Sequence, residues 1–282
     1  MSLLETDLGI LWPALVAGLL VAVSHVPLGQ QVLARGIVFI DLAIAQVAGL
    51  GVIAASSFGL PVTGWGAQAA AGAAALAGAL LLTWTERRRP EVQEALIGIL
   101  FVLASTAQIL VLANDPHGGD NLKELLAGQI LWVSHDQLIR TFLVTAVFAA
   151  VWFTIRERIG RIGFYVLFAL VVTASVQLVG VYLVFTTLIV PAVATYRYAG
   201  RKQLAIGYGL GIASYVVGLA LSVVTDLPSS AVIVWTMAAF ALLTSCAGPR
   251  AGAGSNPSLR NAILLWHNLP EQEAVDLENV ID

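Results

Sequence analysis

Long apolar runs, each closed by a short polar or Gly/Pro-bearing segment, organise almost the whole chain. A hydrocarbon core of about 30 Å needs roughly 20 apolar residues per helix. Runs of that kind span 8–27, 36–57, 62–84, 95–113, 138–155, 205–225 and 228–247. The run at 164–196 is longer. As one helix it would extend roughly 50 Å at 1.5 Å per residue, too far for one crossing, and it carries Gly180 at its middle and Pro191 near its end. Two short helices broken around Gly180 are therefore expected. The pattern predicts an all-α, polytopic membrane protein with about nine transmembrane helices, including that broken short pair. Residues 1–247 form the membrane domain and 248–282 a polar tail.

Composition agrees, with 282 residues that are 59% hydrophobic and 11% charged, and it turns the placement of charge into a question of topology. Lys and Arg collect in cytoplasmic loops. With nine helices and the N-terminus outside, the inner segments hold Arg35, Arg87, Arg88, Arg89, Arg156, Arg158, Arg161, Arg197, Arg201, Lys202, Arg250 and Arg260, leaving only Lys123 and Arg140 outside. A single crossing at 164–196 would split the 14 basic residues seven to seven. The nine-helix arrangement is preferred, and it puts the C-terminus in the cytoplasm. Glu5, Asp7 and Asp226 then face outward. The first helix lacks a basic leader and is interrupted by Pro13, so it reads as retained rather than as a signal peptide.

Several function classes drop out. The single cysteine, Cys246, excludes an intrachain disulfide and a multi-cysteine metal cluster. No phosphate-binding G-x-x-x-x-G-K-[ST] element is present, and neither lysine follows a glycine, so the chain does not hydrolyse nucleotide by that route. It is expected not to be an enzyme, to hold no tightly bound cofactor and to bind membrane lipid but no nucleic acid. The Ala/Gly ribbon Gly66–Gly78, and Gly207, Gly209 and Gly211, read as surfaces for close helix packing. In the tail, Leu259–Leu269 has the spacing of a short amphipathic helix with Trp266 as interfacial anchor. The loop 114–137 opens with turn formers and then places Leu122, Leu125, Leu126 and Ile130 at helical spacing. A short helix on the outer surface is expected there.

Polar residues inside the apolar runs carry the candidate chemistry. Asp41 is the only carboxylate within a predicted span, six residues beyond Arg35 and so about 9 Å deeper. A buried carboxylate costs several kcal/mol unless paired, neutralised or wetted. It is a functional candidate, against the alternative that it pairs with Arg35 or caps a helix end. Gln46 lies five positions on, about 140° away around an ideal helix. Gln30, Gln31, Gln108 and Gln177 are further amides needing partners. His25, beside a break expected at Pro27, and the loop residues His117 and His135 are weaker metal candidates. Together these features describe a helical pore with sparse polar lining and a basic inner face: a transport subunit.

Particular stretches then point to a family. Pro27-Leu28-Gly29, Leu33-Ala34-Arg35-Gly36, Asp41 through Gln46 with Gly51-Val52, Leu126-Ala127-Gly128-Gln129-Ile130 with Val133-Ser134, and Gly180-Val181-Tyr182-Leu183-Val184 through Leu188-Ile189-Val190-Pro191-Ala192 occur in that order. As a set, covering residues 10–200, they resemble the membrane subunits of ATP-binding-cassette importers for zinc, manganese and iron. The resemblance implies a permease homodimer with the ion path near its axis, a cytoplasmic ABC ATPase dimer, an extracytoplasmic metal-binding protein and a place in the bacterial cytoplasmic (inner) membrane. It maps the ATPase-coupling segment onto Arg156–Gly163, with Arg156, Glu157, Arg158 and Arg161 as its charged residues, although the family's F-D-x-x-x-A pattern is missing. At the ion path, alignment on the following Gly-Val sets Gln46 where the family has His and Leu42 where it has Asp, with Asp41 displaced by one. An amide oxygen binds zinc more weakly than imidazole, and an oxygen-rich site leans toward harder ions such as manganese.

The expectation is an ATP-driven importer passing a divalent transition-metal ion, or a small chelate of it, near Asp41 and Gln46. An ion-coupled secondary transporter acting without an ATPase is the alternative. An intramembrane hydrolase fares worst, since one Asp without a second carboxylate makes no catalytic set.

Overall fold

The computed structural model describes residues 3–57, 59, 64–113, 119, 126, 128, 130–155 and 158–248. Nine α-helices follow one another among them: α1 (Leu3–Arg35), α2 (Ile40–Ser57), α3 (Gly64–Arg88), α4 (Gln93–Leu112), α5 (His135–Ile155), α6 (Arg161–Val179), α7 (Val181–Ala194), α8 (Gly200–Thr225) and α9 (Ser229–Ala247). Eight are long and apolar enough to cross a membrane. The ninth, α7, has 14 residues and extends only about 21 Å.

The break at Gly180 is where the sequence places it. Gly180 adopts φ 84° and ψ 162°, a conformation open to glycine alone, and this separates α6 from α7. The pair is less symmetrical than expected, because α6 has 19 residues and is a full span, and only α7 is short. Two further expectations are corrected. Helix α1 does not break at Pro27 but runs on to Arg35, and α2 begins at Ile40, not near 36. Asp41 therefore stands in the first turn of α2 rather than 9 Å into a span.

The persistence of α1 through Pro27 has a visible cause. Proline has no N–H for the carbonyl four residues earlier, which leaves Val23 O without its helical donor. The Tyr208 hydroxyl of α8 donates to that oxygen at 2.9 Å. Tyr208→Phe should therefore cost about 1 kcal/mol, visible as a lowered thermal unfolding midpoint in detergent; an unchanged midpoint would count against this role.

Helix α1 packs on α5, α7 and α8, while α2 packs on α3, α4 and α6. Small residues set the close crossings, as lipid offers no hydrophobic drive between helices. Gly51 lies against Ala70 and Ala74 of α3, Gly78 of α3 against Ile44 and Val47 of α2, and Gly207 of α8 against Val26 of α1. Gly66, Gly72 and Gly209 meet nothing, so only part of each glycine-rich face is used. The tightest crossing is at Gly29, where a methyl group would run into the Leu188 carbonyl of α7.

Contacts between helix ends gather charge at one end. Arg35 lies 4.0 Å over the Phe164 ring and Arg161 Nε pairs with Glu86 Oε2 at 3.3 Å; Arg87, Arg88 and Arg89 end α3, Arg158 precedes α6, and Arg197, Arg201 and Lys202 flank the α7–α8 turn, which the contacts of Gly29 and Gly207 set beside the end of α1. The opposite end carries Arg140, over Trp65 at 5.6 Å, and exposed Trp12 and Trp132. The expected surface helix over 122–130 and the tail helix over 259–269 fall outside the described residues, apart from single positions and a 3-10 turn at Ile130–Trp132.

Candidate ion path

The start of α2 is built by its neighbours. Glu94 Oε1 of α4 accepts the Phe39 N–H at 3.1 Å, so the carboxylate that caps this end is Glu94 and not Asp41. Arg35 is turned onto Phe164 and does not pair with Asp41. Asp41 itself is fully buried, and among the described residues neither of its carboxylate oxygens has a hydrogen-bond partner. What favours a negative charge there is the partial positive charge at a helix N-terminus, a small effect beside the cost of burial.

Gln46 is also buried, and Gln108 of α4 clasps it. Gln108 Nε2 donates to the Gln46 backbone oxygen at 2.7 Å and to its Oε1 at 2.8 Å. The side-chain oxygen expected as a cation ligand thus accepts an interhelical bond, while Gln108 Oε1 is buried without a partner. Gln30 Nε2 of α1 and Gln177 Nε2 and Thr173 Oγ1 of α6 are likewise buried and unpartnered.

The histidines are dispersed. His25 Nδ1 lies 3.0 Å from both Val21 O and Ser24 Oγ, as a core histidine would, with Nε2 left over. His135 is exposed at the start of α5, at the end away from the arginines. His117 lies outside the described residues. Among the described residues no group of three or more His, Cys, Asp or Glu side chains comes together in a way that could hold a metal ion.

At the basic end, a polar knot joins three helices. Gln93 Nε2 of α4 donates to Leu82 O at 3.0 Å and to the Tyr165 hydroxyl at 3.4 Å, and Thr85 Oγ1 of α3 donates to Gln93 Oε1 at 2.9 Å. With the Arg161–Glu86 pair this fixes the base of α3, α4 and α6. Gln93, Glu86 and Glu94 were not singled out in the sequence. Their only signal there is that they flank the Arg87–Arg89 turn. Of the coupling segment, Arg156 and Glu157 fall outside the described residues, Arg158 is exposed, and Arg161 is engaged by Glu86.

A recess lies at the other end, beside the α6–α7 break. It has a volume of about 660 Å³ and is walled by Trp132, Tyr182, Phe185 and Trp235. Phe185 of its lining stacks on Phe39, two positions before Asp41, with ring centroids 6.4 Å apart and an interplanar angle of 5°.

Comparison with known proteins gives one family: the model of the ABC 3 transport family matches residues 7–160 and 154–248. An uncharacterized membrane protein of Synechocystis sp. is 29% identical over 255 residues, covering 83% of this chain and 89% of that protein. A protein of Haemophilus influenzae named as a probable iron transport system membrane protein is 29% identical over 142 residues, 43% of this chain and 52% of that protein. Among solved structures, PsaBC from Streptococcus pneumoniae in complex with Fab superposes with a TM-score of 0.68 at 23% identity, covering 83% of this chain and 90% of that one. A chain described as a metal-chelate type ABC transporter in an inward-facing conformation gives 0.60 at 14% identity, covering 84% and 86%. These two likenesses bear on the fold.

Proposed function

The chain belongs to the ABC 3 transport family, as a multi-pass subunit of a bacterial cytoplasmic membrane transporter, and on that premise we propose that it is the permease of an ATP-driven importer whose cargo is a divalent transition metal. Asp41 is the observation that carries the reading. A carboxylate buried among helices with both oxygens unpartnered costs several kcal/mol in a membrane and is kept only where function needs it. It offers an anionic station that a cation can occupy and leave.

In this reading the arginine-rich end faces the cytoplasm, in keeping with the positive-inside rule. The ATPase dimer docks there on Arg156, Glu157, Arg158 and Arg161, together with the Arg197–Lys202 turn. The Arg161–Glu86 pair and the Gln93 knot would pass its motion to α3, α4 and α6. A second copy of the chain completes the permease, and an extracytoplasmic metal-binding protein delivers cargo to the opposite face. Gln46 acts through its bond to Gln108 as a strut rather than as a ligand.

Purification in mild detergent tests the energy source. The proposal predicts a stoichiometric ATPase partner that supports metal-dependent ATP hydrolysis. A lone permease driving uptake on an ion gradient would favour the ion-coupled secondary transporter instead.

A further inference from the structure

Helix α3 carries two stripes of opposite character. Ala71, Ala75, Ala79 and Leu82 are buried, and α3 packs on α2 and α6. Ala77, Leu80, Trp84 and Arg88 recur at the same three- and four-residue spacing on another face and are exposed. Their apolar row faces away from the bundle and toward lipid, and it ends on charge. Arg87, Arg88 and Arg89 are all exposed, and the Arg88 guanidinium lies 6.0 Å over the Trp84 ring. Trp84 stands one helical turn, about 6 Å, deeper along α3, so Arg88 folds back along the lipid-facing row instead of reaching into the cytosol. An exposed indole beneath a guanidinium group marks the headgroup level of a bilayer.

Two carboxylates beside this turn are committed elsewhere. Glu86 pairs with Arg161 and Glu94 accepts the Phe39 N–H, while the exposed Glu91 offsets one of the three arginine charges. The turn keeps its shape without them. The Arg89 N–H donates to Thr85 O at 2.7 Å, and the Gln93 knot ties the start of α4 to Leu82 and Thr85 of α3. Guanidinium groups on a fixed turn, at the end of an apolar row, match a phosphodiester whose acyl chains lie in the membrane. A cytosolic protein bound at the turn leaves the apolar row unexplained. A second copy on this face, related by an axis along the membrane normal, would bring its own arginines to the same level, where like charges repel.

We propose that the α3–α4 turn binds an anionic phospholipid of the inner leaflet, with its phosphate on Arg88 and the flanking arginines and an acyl chain along Trp84 and Leu80. The site depends on the placement of the chain in the membrane and not on the cargo.

Native mass spectrometry of the full chain released from detergent micelles tests this, with dioleoyl phosphatidylglycerol and dioleoyl phosphatidylcholine added in equal amounts so that the lipids differ in headgroup alone. Phosphatidylglycerol is expected to be retained at least about fivefold over phosphatidylcholine. Arg88→Gln should lower that preference about threefold, and Arg87→Gln, Arg88→Gln and Arg89→Gln together should abolish it. Arg201→Gln with Lys202→Gln removes two exposed charges at the same end and should change the preference by less than about twofold. Circular dichroism confirms folding, and Arg88→Gln alone decides the matter if the triple variant does not fold. No preference in the parent chain, an unchanged preference in the Arg88 variant, or an equal loss in the Arg201/Lys202 variant would overturn the proposal, the last because diffuse attraction to the basic end would then account for binding. So would displacement of the lipid by millimolar inorganic phosphate, which would make the turn a site for free anions. Loss of ATPase co-purification in the triple variant with the lipid preference intact would also overturn it, in favour of a docking surface for the motor.

Discussion

Gly128→Ala should cost about 3 kcal/mol or more and is expected to leave little folded protein in the membrane. Gly128 has φ +66°, and a methyl group on it would collide with the backbone carbonyl of Val179 and with Gly180 N. Neither obstacle is the tip of a flexible side chain. Gly128 would have to lift off the α6–α7 break, disturbing the recess it lines and the Gly180 backbone it touches. Gly72→Ala is the control: that glycine is helical and meets nothing within 4 Å, so alanine should be neutral or stabilise by up to about 1 kcal/mol. Unfolding in detergent, followed by circular dichroism, separates the two. Equal stability of Gly128→Ala and Gly72→Ala would mean that Gly128 does not seat on the break.

Asp41→Asn should have the opposite profile, lower activity with undiminished stability. Removing a buried, unpartnered carboxylate relieves a desolvation cost, so the variant should unfold no more easily than the parent and gain up to about 3 kcal/mol. Metal uptake should fall about tenfold to hundredfold, the worth of one charge-assisted contact of roughly 1.5–3 kcal/mol. Co-purification with the ATPase should be unchanged. A residue with a purely structural role would lose stability and assembly together. Undiminished uptake in vesicles would show that Asp41 is not on the route.

Much of this architecture was legible from hydrophobic run length and charge. The arginines argued for nine helices, because only a break within 164–196 gathers Arg197, Arg201 and Lys202 with the others. Gly180 marked the break, since no other residue adopts its backbone conformation without strain. Helix ends were less visible. Apolar continuity across 36–40 hid the turn before α2, and with it the position of Asp41 in a first helical turn. Pro27 misled because its effect depends on a tertiary donor, Tyr208, which lies 185 positions along the chain from the carbonyl it serves. The site divided in the same way. Asp41 and Gln46 stood out as polar residues in apolar runs, whereas the clasp by Gln108, the cap from Glu94 and the Gln93 knot arise from helices whose adjacency no local pattern declares.

Thiol accessibility at position 41 tests the central claim most directly, because the chain has a single native cysteine, Cys246, which is exposed and replaceable by serine. In that background Asp41→Cys should react with a membrane-impermeant thiol reagent in at least one nucleotide state of the assembled transporter, and Arg88→Cys only from the cytoplasmic side. An Asp41→Cys variant that stays unreactive in every state, or an Arg88→Cys variant labelled from outside, would contradict the route proposed for the metal.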